Sequence, residues 1–373
     1  MTSFKQFIFK SFLLLIIVFF CLPVKAQETV SKDKILSISC RVADWQISSF
    51  KDSYPKDPMG WIAGTLYLGM FNREQLSGNT KYETWLRKVF DHQGWQAGRQ
   101  KYHADYICVA QTYLDFYNKY KEEKMVIPTL ACTDWVIEHP PVGPMDFYVD
   151  KKIYSDRWTW CDALFMAPSV YTRLYAITGQ KKYIKFANKE YKATYNHLFD
   201  KNECLFYRDN RFIGKTEPNG KKVFWGRGNG WVIGGLCEIL KSLPAKDKKD
   251  RKFYSGLLIK MSEKLASLQD KNGFWHASLL DPDSYPSPET SATGFNVYGI
   301  AYGINEGYLS KEKYLPIVIK GWNALCSAVH VDGKLGYVQP VGDSPRNVTD
   351  ETTELYGVGA FLLAACEVYK LAN

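Results

Sequence analysis

The chain has only six histidines in 373 residues, with no H-x-x-x-H pair and no Cys/His metal spacing, so no metal and no cofactor is expected. Its nine cysteines form no C-x-x-C pair, and no spacing predicts a disulfide. Runs such as Gly-Leu-Cys237 and Leu-Cys326 read instead as small buried hydrophobes. No G-x-S-x-G elbow is present, which argues against a Ser-His-Asp hydrolase. The glycines of 226–230 lack the spacing of a dinucleotide fingerprint and follow no convincing strand, which excludes a nucleotide reading. Beyond the N-terminus no long apolar run occurs, so a multi-span membrane protein is excluded. No Pro/Gly/Ser linker divides the rest, so residues 27–373 read as one domain.

What is present is enough apolar residue, 46% of the chain, to bury a large core and exclude disorder. The first 26 residues read as an export signal. Lys5 and Lys10 form a basic start, 12–22 is apolar, and Val24-Lys25-Ala26 is a small-x-small cleavage site. Cleavage after Ala26 is expected, with a soluble, periplasmic product. Cys21 as a lipid anchor is disfavoured by the bulky Phe20 before it. Removing 1–26 takes three lysines and no acid from the formal +9, leaving +6. The densest basic run, 246–252, is broken by Asp247 and Asp250 and reads as a solvated loop rather than a nucleic-acid patch. A mild positive charge suits an anionic substrate.

The organisation is repetitive. An apolar helix rich in small residues is followed by a short turn, an amphipathic helix and a Gly-aromatic turn. The unit recurs as 61–69 with 79–91, 164–177 with 181–200, 231–241 with 253–270, and 295–305 with 313–331. An additional unit comes from 106–120 and 130–138, and 356–369 closes the ring. In the second helices the spacing is helical: Phe253, Leu257, Met261, Leu265 and Leu268 fall three or four apart. About six such hairpins predict an all-α fold, an (α/α)6 barrel, with an open α-solenoid as the structural alternative. In such a toroid the entrances of the inner helices surround one cavity. Eleven Trp and 25 Tyr suit a sugar there, since flat rings cover C–H faces, although most aromatics in any protein are core.

Polar groups cluster at the predicted entrances. Asp162, between Trp160 and an apolar run, reads either as a partly desolvated general acid or as a helix-capping residue. Asp105 has the same two readings. Arg227, within the glycine-rich turn, reads as a fork for a substrate carboxylate or as a salt bridge fixing the loop. Trp160, Trp225, Trp231 and His276 are candidate sugar contacts.

These segments resemble glycoside hydrolase family 105, the unsaturated rhamnogalacturonyl hydrolases, related to the unsaturated glucuronyl hydrolases. The resemblance runs from about Trp61 to the C-terminus. It is carried by Asp-Ala-Leu-Phe-Met at 162–166, Phe-Trp-Gly-Arg-Gly-Asn-Gly-Trp at 224–231, Trp-His at 275–276 and Glu-Thr-Ser-Ala-Thr at 289–293. It implies an (α/α)6 barrel that removes a 4,5-unsaturated galacturonyl or glucuronyl residue from the non-reducing end of a lyase-made oligosaccharide. Protonation at C4 and hydration at C5 would achieve this without the usual pair of displacement carboxylates. By the resemblance Asp162 is the catalytic aspartate, Asp105 a second active-site acid, and Trp225 and Arg227 hold the sugar. One departure stands out: Tyr207-Arg208 replaces the family's Tyr-His, and Arg208 adds positive charge against a uronate. The alternatives are an (α/α)-barrel lyase or sugar epimerase and a non-catalytic glycan-binding toroid.

Overall fold

The computed structural model describes residues 30–51 and 53–372. The expected signal segment and Cys21 lie outside them. Among the described residues no helix is long and apolar enough to cross a membrane.

The elements run α1 (Lys32–Ser48), α2 (Trp61–Glu74), α3 (Lys81–His92), α4 (Ala110–Tyr120) and α5 (Ile127–Glu138). A small antiparallel hairpin, β1 (Tyr148–Val149) and β2 (Lys152–Ile153), pairs Tyr148 with Ile153. Next come α6 (Ala163–Met166), α7 (Pro168–Thr178) and α8 (Lys181–Leu198), then β3 (Phe199–Asp200) paired antiparallel with β4 (Leu205–Phe206). The remaining helices are α9 (Gly226–Ser242), α10 (Lys248–Ser267), α11 (Thr290–Asn305), α12 (Lys311–Ser327) and α13 (Leu355–Leu371).

Contacts between helices run α2 to α4 to α7 to α9 to α11 to α13 and back to α2, which is a closed inner ring. The inner helices are apolar on every side, as this position requires: 290–304 of α11 and 356–368 of α13 are buried without interruption. The outer helices bury one stripe, in α10 Tyr254, Leu257, Leu258, Met261 and Leu265. Ring closure depends on bare backbone. A Cβ on Gly359 would lie 2.3 Å from the Thr65 carbonyl oxygen, and one on Gly69 would lie 2.6 Å from the Gly359 carbonyl oxygen.

The barrel prediction holds, with three local differences. Helix α1, absent from the expected units, packs on α13 and supplies the sixth outer helix. The expected helix over 164–177 is broken at Ala167-Pro168, because Pro168 offers no N–H to continue α6. Helix α9 starts at Gly226, so the glycines form its first turns rather than a loop before it.

The two ends of the ring differ. At the amino ends of the inner helices, Trp61, Tyr356, Trp231, Phe165 and Phe295 interlock as an aromatic plug. At the carboxyl ends a buried ionic network ties five inner helices together. Arg173 (α7) donates to Asp115 (α4) at 2.8 Å and to Glu238 (α9) at 2.6 Å, and Glu238 also accepts from Tyr298 (α11). Lys241 reaches Glu367 (α13) at 3.0 Å. Cations at helix carboxyl ends also meet the negative pole of the peptide dipoles.

Candidate active site

Asp162 lies at the amino end of α6 with helical backbone angles, and its side chain caps nothing. Of the two sequence readings, the cap is therefore absent. The carboxylate is instead held by side chains, with Cys161 Sγ donating to Oδ2 at 3.3 Å and Arg208 Nε 3.8 Å from the same oxygen. The backbone brings these together, because the Cys161 N–H donates to the Arg208 carbonyl at 2.8 Å. Arg208 follows β4, and β4 is pinned by Asn229. The Asn229 amide accepts from Phe206 N at 2.8 Å and donates to the Phe206 carbonyl at 3.1 Å. The Asn of the glycine-rich motif is thus a backbone clamp that fixes Arg208.

Arg208 donates Nη1 to Asp209 at 2.7 Å and lies over the Phe147 ring at 4.6 Å. Its Nε is buried without a hydrogen-bond acceptor. Burial opposes ionisation of Asp209, but Arg211 and Arg208 outweigh it and hold this carboxyl below its ordinary range.

Asp105 sits in the short 3-10 turn Ala104–Ile107, after His103, whose Nδ1 accepts from the Asp105 N–H at 3.3 Å. The His103 ring packs on Trp160 at 5.1 Å, and Trp160 on Phe147 at 5.8 Å, so the turn and the 158–162 segment share one wall. Burial and then repulsion from Asp162 raise Asp105 to about 7, against the pull of Arg208. Burial likewise raises Asp162, opposed by Arg208, Cys161 and Arg227. Burial lowers His103, and Arg208 adds to this while Asp156 opposes it. Two carboxyls whose ionisation burial opposes, beside one arginine with an unused N–H, can give and take protons next to an anionic group.

The elevated Asp105 value has a consequence for stability. Its folded value lies above its unfolded one, so the native state binds more protons, and stability falls as pH rises from about 4 to about 7. Asp105→Asn should therefore be more stable than wild type at pH 8, by about 4 kcal/mol, and alike at pH 4. Thermal melts at both pH values check this.

The other predicted residues are placed as follows. Trp225 is buried at the amino end of α9, with its indole N–H on Gln339 Oε1 at 3.0 Å. Arg227 is fully buried between Trp225 at 4.4 Å and Tyr356 at 4.8 Å. It donates to the carbonyls of Gln339 at 2.5 Å and Pro340 at 3.0 Å. It fixes a loop, as one of its two readings had it, but through carbonyls instead of a salt bridge. Trp231 belongs to the aromatic plug and offers no surface to a ligand. His276 does not join the acids. Its Nδ1 sits 3.0 Å from the Tyr285 carbonyl and its Nε2 3.3 Å from Asp270, and it lines a separate cleft with Glu203 and Lys264. The Glu-Thr-Ser-Ala-Thr run starts α11, with the Glu289 carboxylate accepting from Ser291 N, Ala292 N and Gln339 N.

Cys161, Phe147 and Gln339 are site-building residues that the sequence did not single out. Gln339 is 114 residues from its Trp225 partner, and no local pattern marks it.

A helical toroid with two buried carboxyls and an arginine at one mouth has the make-up of a carbohydrate-active hydrolase. The comparisons agree: the model of Glycosyl Hydrolase Family 88 matches residues 38–372, and the chain belongs to that family. The chain is 35% identical over 367 residues to the unsaturated 3S-rhamnoglycuronyl hydrolase of Alteromonas sp. (strain LOR), covering 93% of this chain and 87% of that one. A family 88 glycosyl hydrolase from Bacteroides vulgatus superposes with a TM-score of 0.82 at 30% identity, covering 91% of this chain and 99% of its own. A solved protein titled polysaccharide lyase superposes with a TM-score of 0.81 at 29% identity, over 91% of this chain and 98% of its own.

Proposed function

We propose that the protein removes a 4,5-unsaturated uronic acid from the non-reducing end of lyase-generated oligosaccharides. The observation that carries this reading is the grouping of Asp162, Asp105 and the Nε of Arg208 at one mouth of the barrel. Asp162 gives its proton to C4 of the vinyl ether, and the ionised carboxylate then takes a proton from the water that adds at C5. The resulting hemiketal opens and expels the aglycone. One carboxyl acts twice, so no second carboxylate need attack the anomeric carbon, unlike the ordinary glycosidase scheme. Asp105 lies beside Asp162, where burial and the Asp162 charge make it the carboxyl that holds its own proton more firmly. Arg208 receives the uronate, while Trp160 and Trp225, both buried, pack behind the acids, with Arg227 bracing Trp225.

The relative from Alteromonas is named for a rhamnoglycuronyl substrate, which favours rhamnose as the next sugar. The N-terminal signal, cleaved after Ala26, would place the enzyme in the periplasm, where imported oligosaccharides meet it.

The test is to incubate the protein with unsaturated uronyl-rhamnose and glucuronyl oligosaccharides and follow the ultraviolet band of the conjugated double bond. Loss of the band is expected. A band growing on intact polymer would mean a lyase, and no change with any substrate would overturn the reading. Arg208→Ala should raise KM about tenfold or more, with Arg208→Lys intermediate. An unchanged KM in steady-state kinetics would remove Arg208 from carboxylate binding.

A further inference from the structure

We propose that Cys161 is a positioning residue for Asp162, its thiol engaging Oδ2 so that Oδ1 is the oxygen that carries and delivers the proton. The inference rests on the reading of Asp162 as the acid. Two donors approach the same oxygen, the thiol at 3.3 Å and Arg208 Nε at 3.8 Å. A proton on Oδ2 would displace the thiol and face the Arg208 cation, whereas among the described residues Oδ1 receives no side-chain donor.

The thiol packs closely against α9. Behind it lies the first turn of α9, where a Cβ on Gly228 would sit 3.1 Å from Sγ and 3.0 Å from the Trp225 ring. The Cys161 backbone is held on both sides, its N–H by the Arg208 carbonyl at 2.8 Å and its carbonyl by Leu164 N at 3.0 Å. The glycine therefore has a role at one remove from the chemistry. It gives the thiol a rigid back wall, and the thiol in turn fixes the rotation of the carboxyl plane. After proton transfer the negative charge on Oδ2 is met by donors already in place, with no rearrangement. The charged groups that face Asp162 are Asp105 and His103 from the 103–107 segment, Arg208 and Asp209 beyond β4, and Arg227 from α9. Cys161 is the neutral donor among them, so its replacement changes orientation and hydrogen bonding without changing net charge.

The experiment compares Cys161→Ala and Cys161→Val, which lack the donor, with Cys161→Ser, which keeps it. The readout is kcat/KM against pH on an unsaturated uronyl disaccharide. A donor to the carboxylate favours ionisation, so its loss should move the alkaline limb up by about 0.5–1 pH unit and lower the plateau about tenfold. Serine should return the limb to the wild-type position or below it and restore most of the plateau. An unmoved limb in Ala and Val, or the same shift in all three variants, would overturn the proposal. Melting curves identify a variant that fails to fold, in which case the Val and Ser pair carries the comparison. Carbon-13 NMR titration of labelled aspartates, with Asp162 assigned through Asp162→Asn, reads the same shift without turnover. Full activity in Asp162→Asn would instead refute the function assigned to Asp162, a separate failure.

Discussion

Asp162→Asn lowers kcat by about three orders of magnitude or more and leaves the melting temperature at pH 7 no lower than that of wild type. The loss is large because one side chain is asked both to protonate C4 and to activate water, and an amide does neither. The fold should tolerate the change because the side chain caps no helix and its ionised form is disfavoured by burial. The ultraviolet assay checks the first expectation and a thermal melt the second. Near-normal turnover would mean that the proton comes from elsewhere, with Asp105 the first group to examine.

The second large effect lies at the opposite mouth. Glu238→Ala should cost about 3–5 kcal/mol, because it removes one of the two carboxylate partners of the buried Arg173 and leaves Lys241 only Glu367. Glu238→Gln keeps the Tyr298 contact and should cost less. Burial alone would raise the Glu238 carboxyl, but Lys241 and Arg173 overcome it and hold the group at about 2. A carboxyl depressed in this way contributes stability that is fully present above its unfolded value of about 4.5 and lost as pH falls toward about 2. The variant's deficit should therefore shrink in acid. Urea unfolding at pH 7 and pH 3 reads the difference, and a deficit equal at both would contradict the linkage.

The hairpin repeat was legible because inner and outer helices bury different fractions of their surface, and that difference appears as periodicity in segments such as 253–268. Helix α1 was not, because its partner α13 lies at the other end of the chain and no repeat unit frames it. Within the site, Asp162 and Asp105 could be picked out as charged residues at apolar helix entrances. Arg227 could not be placed, since its surroundings are two carbonyls more than a hundred residues away. His276 and Trp231 illustrate the same limit: sequence marks a residue as unusual but does not say which way its side chain faces. Nothing in the sequence marks Cys161 apart from the other cysteines, since its two faces, toward Gly228 and toward Asp162, are set by the fold.

The sixth pair of the ring is made by the first helix and the last, and Lys32 of α1 lies over the Tyr369 ring of α13 at 5.7 Å. The two ends of the described chain therefore meet at the base of the barrel, opposite the acids. A circle of hairpins has no intrinsic beginning, and here the first and last described helices form a seam between neighbours. Synthesis consequently leaves α1 without its inner partner until α13 has followed it. The same seam allows a circular permutant, with the ends joined by a short linker and the chain reopened at an outer loop far from the mouth, to rebuild the identical ring around the same pocket.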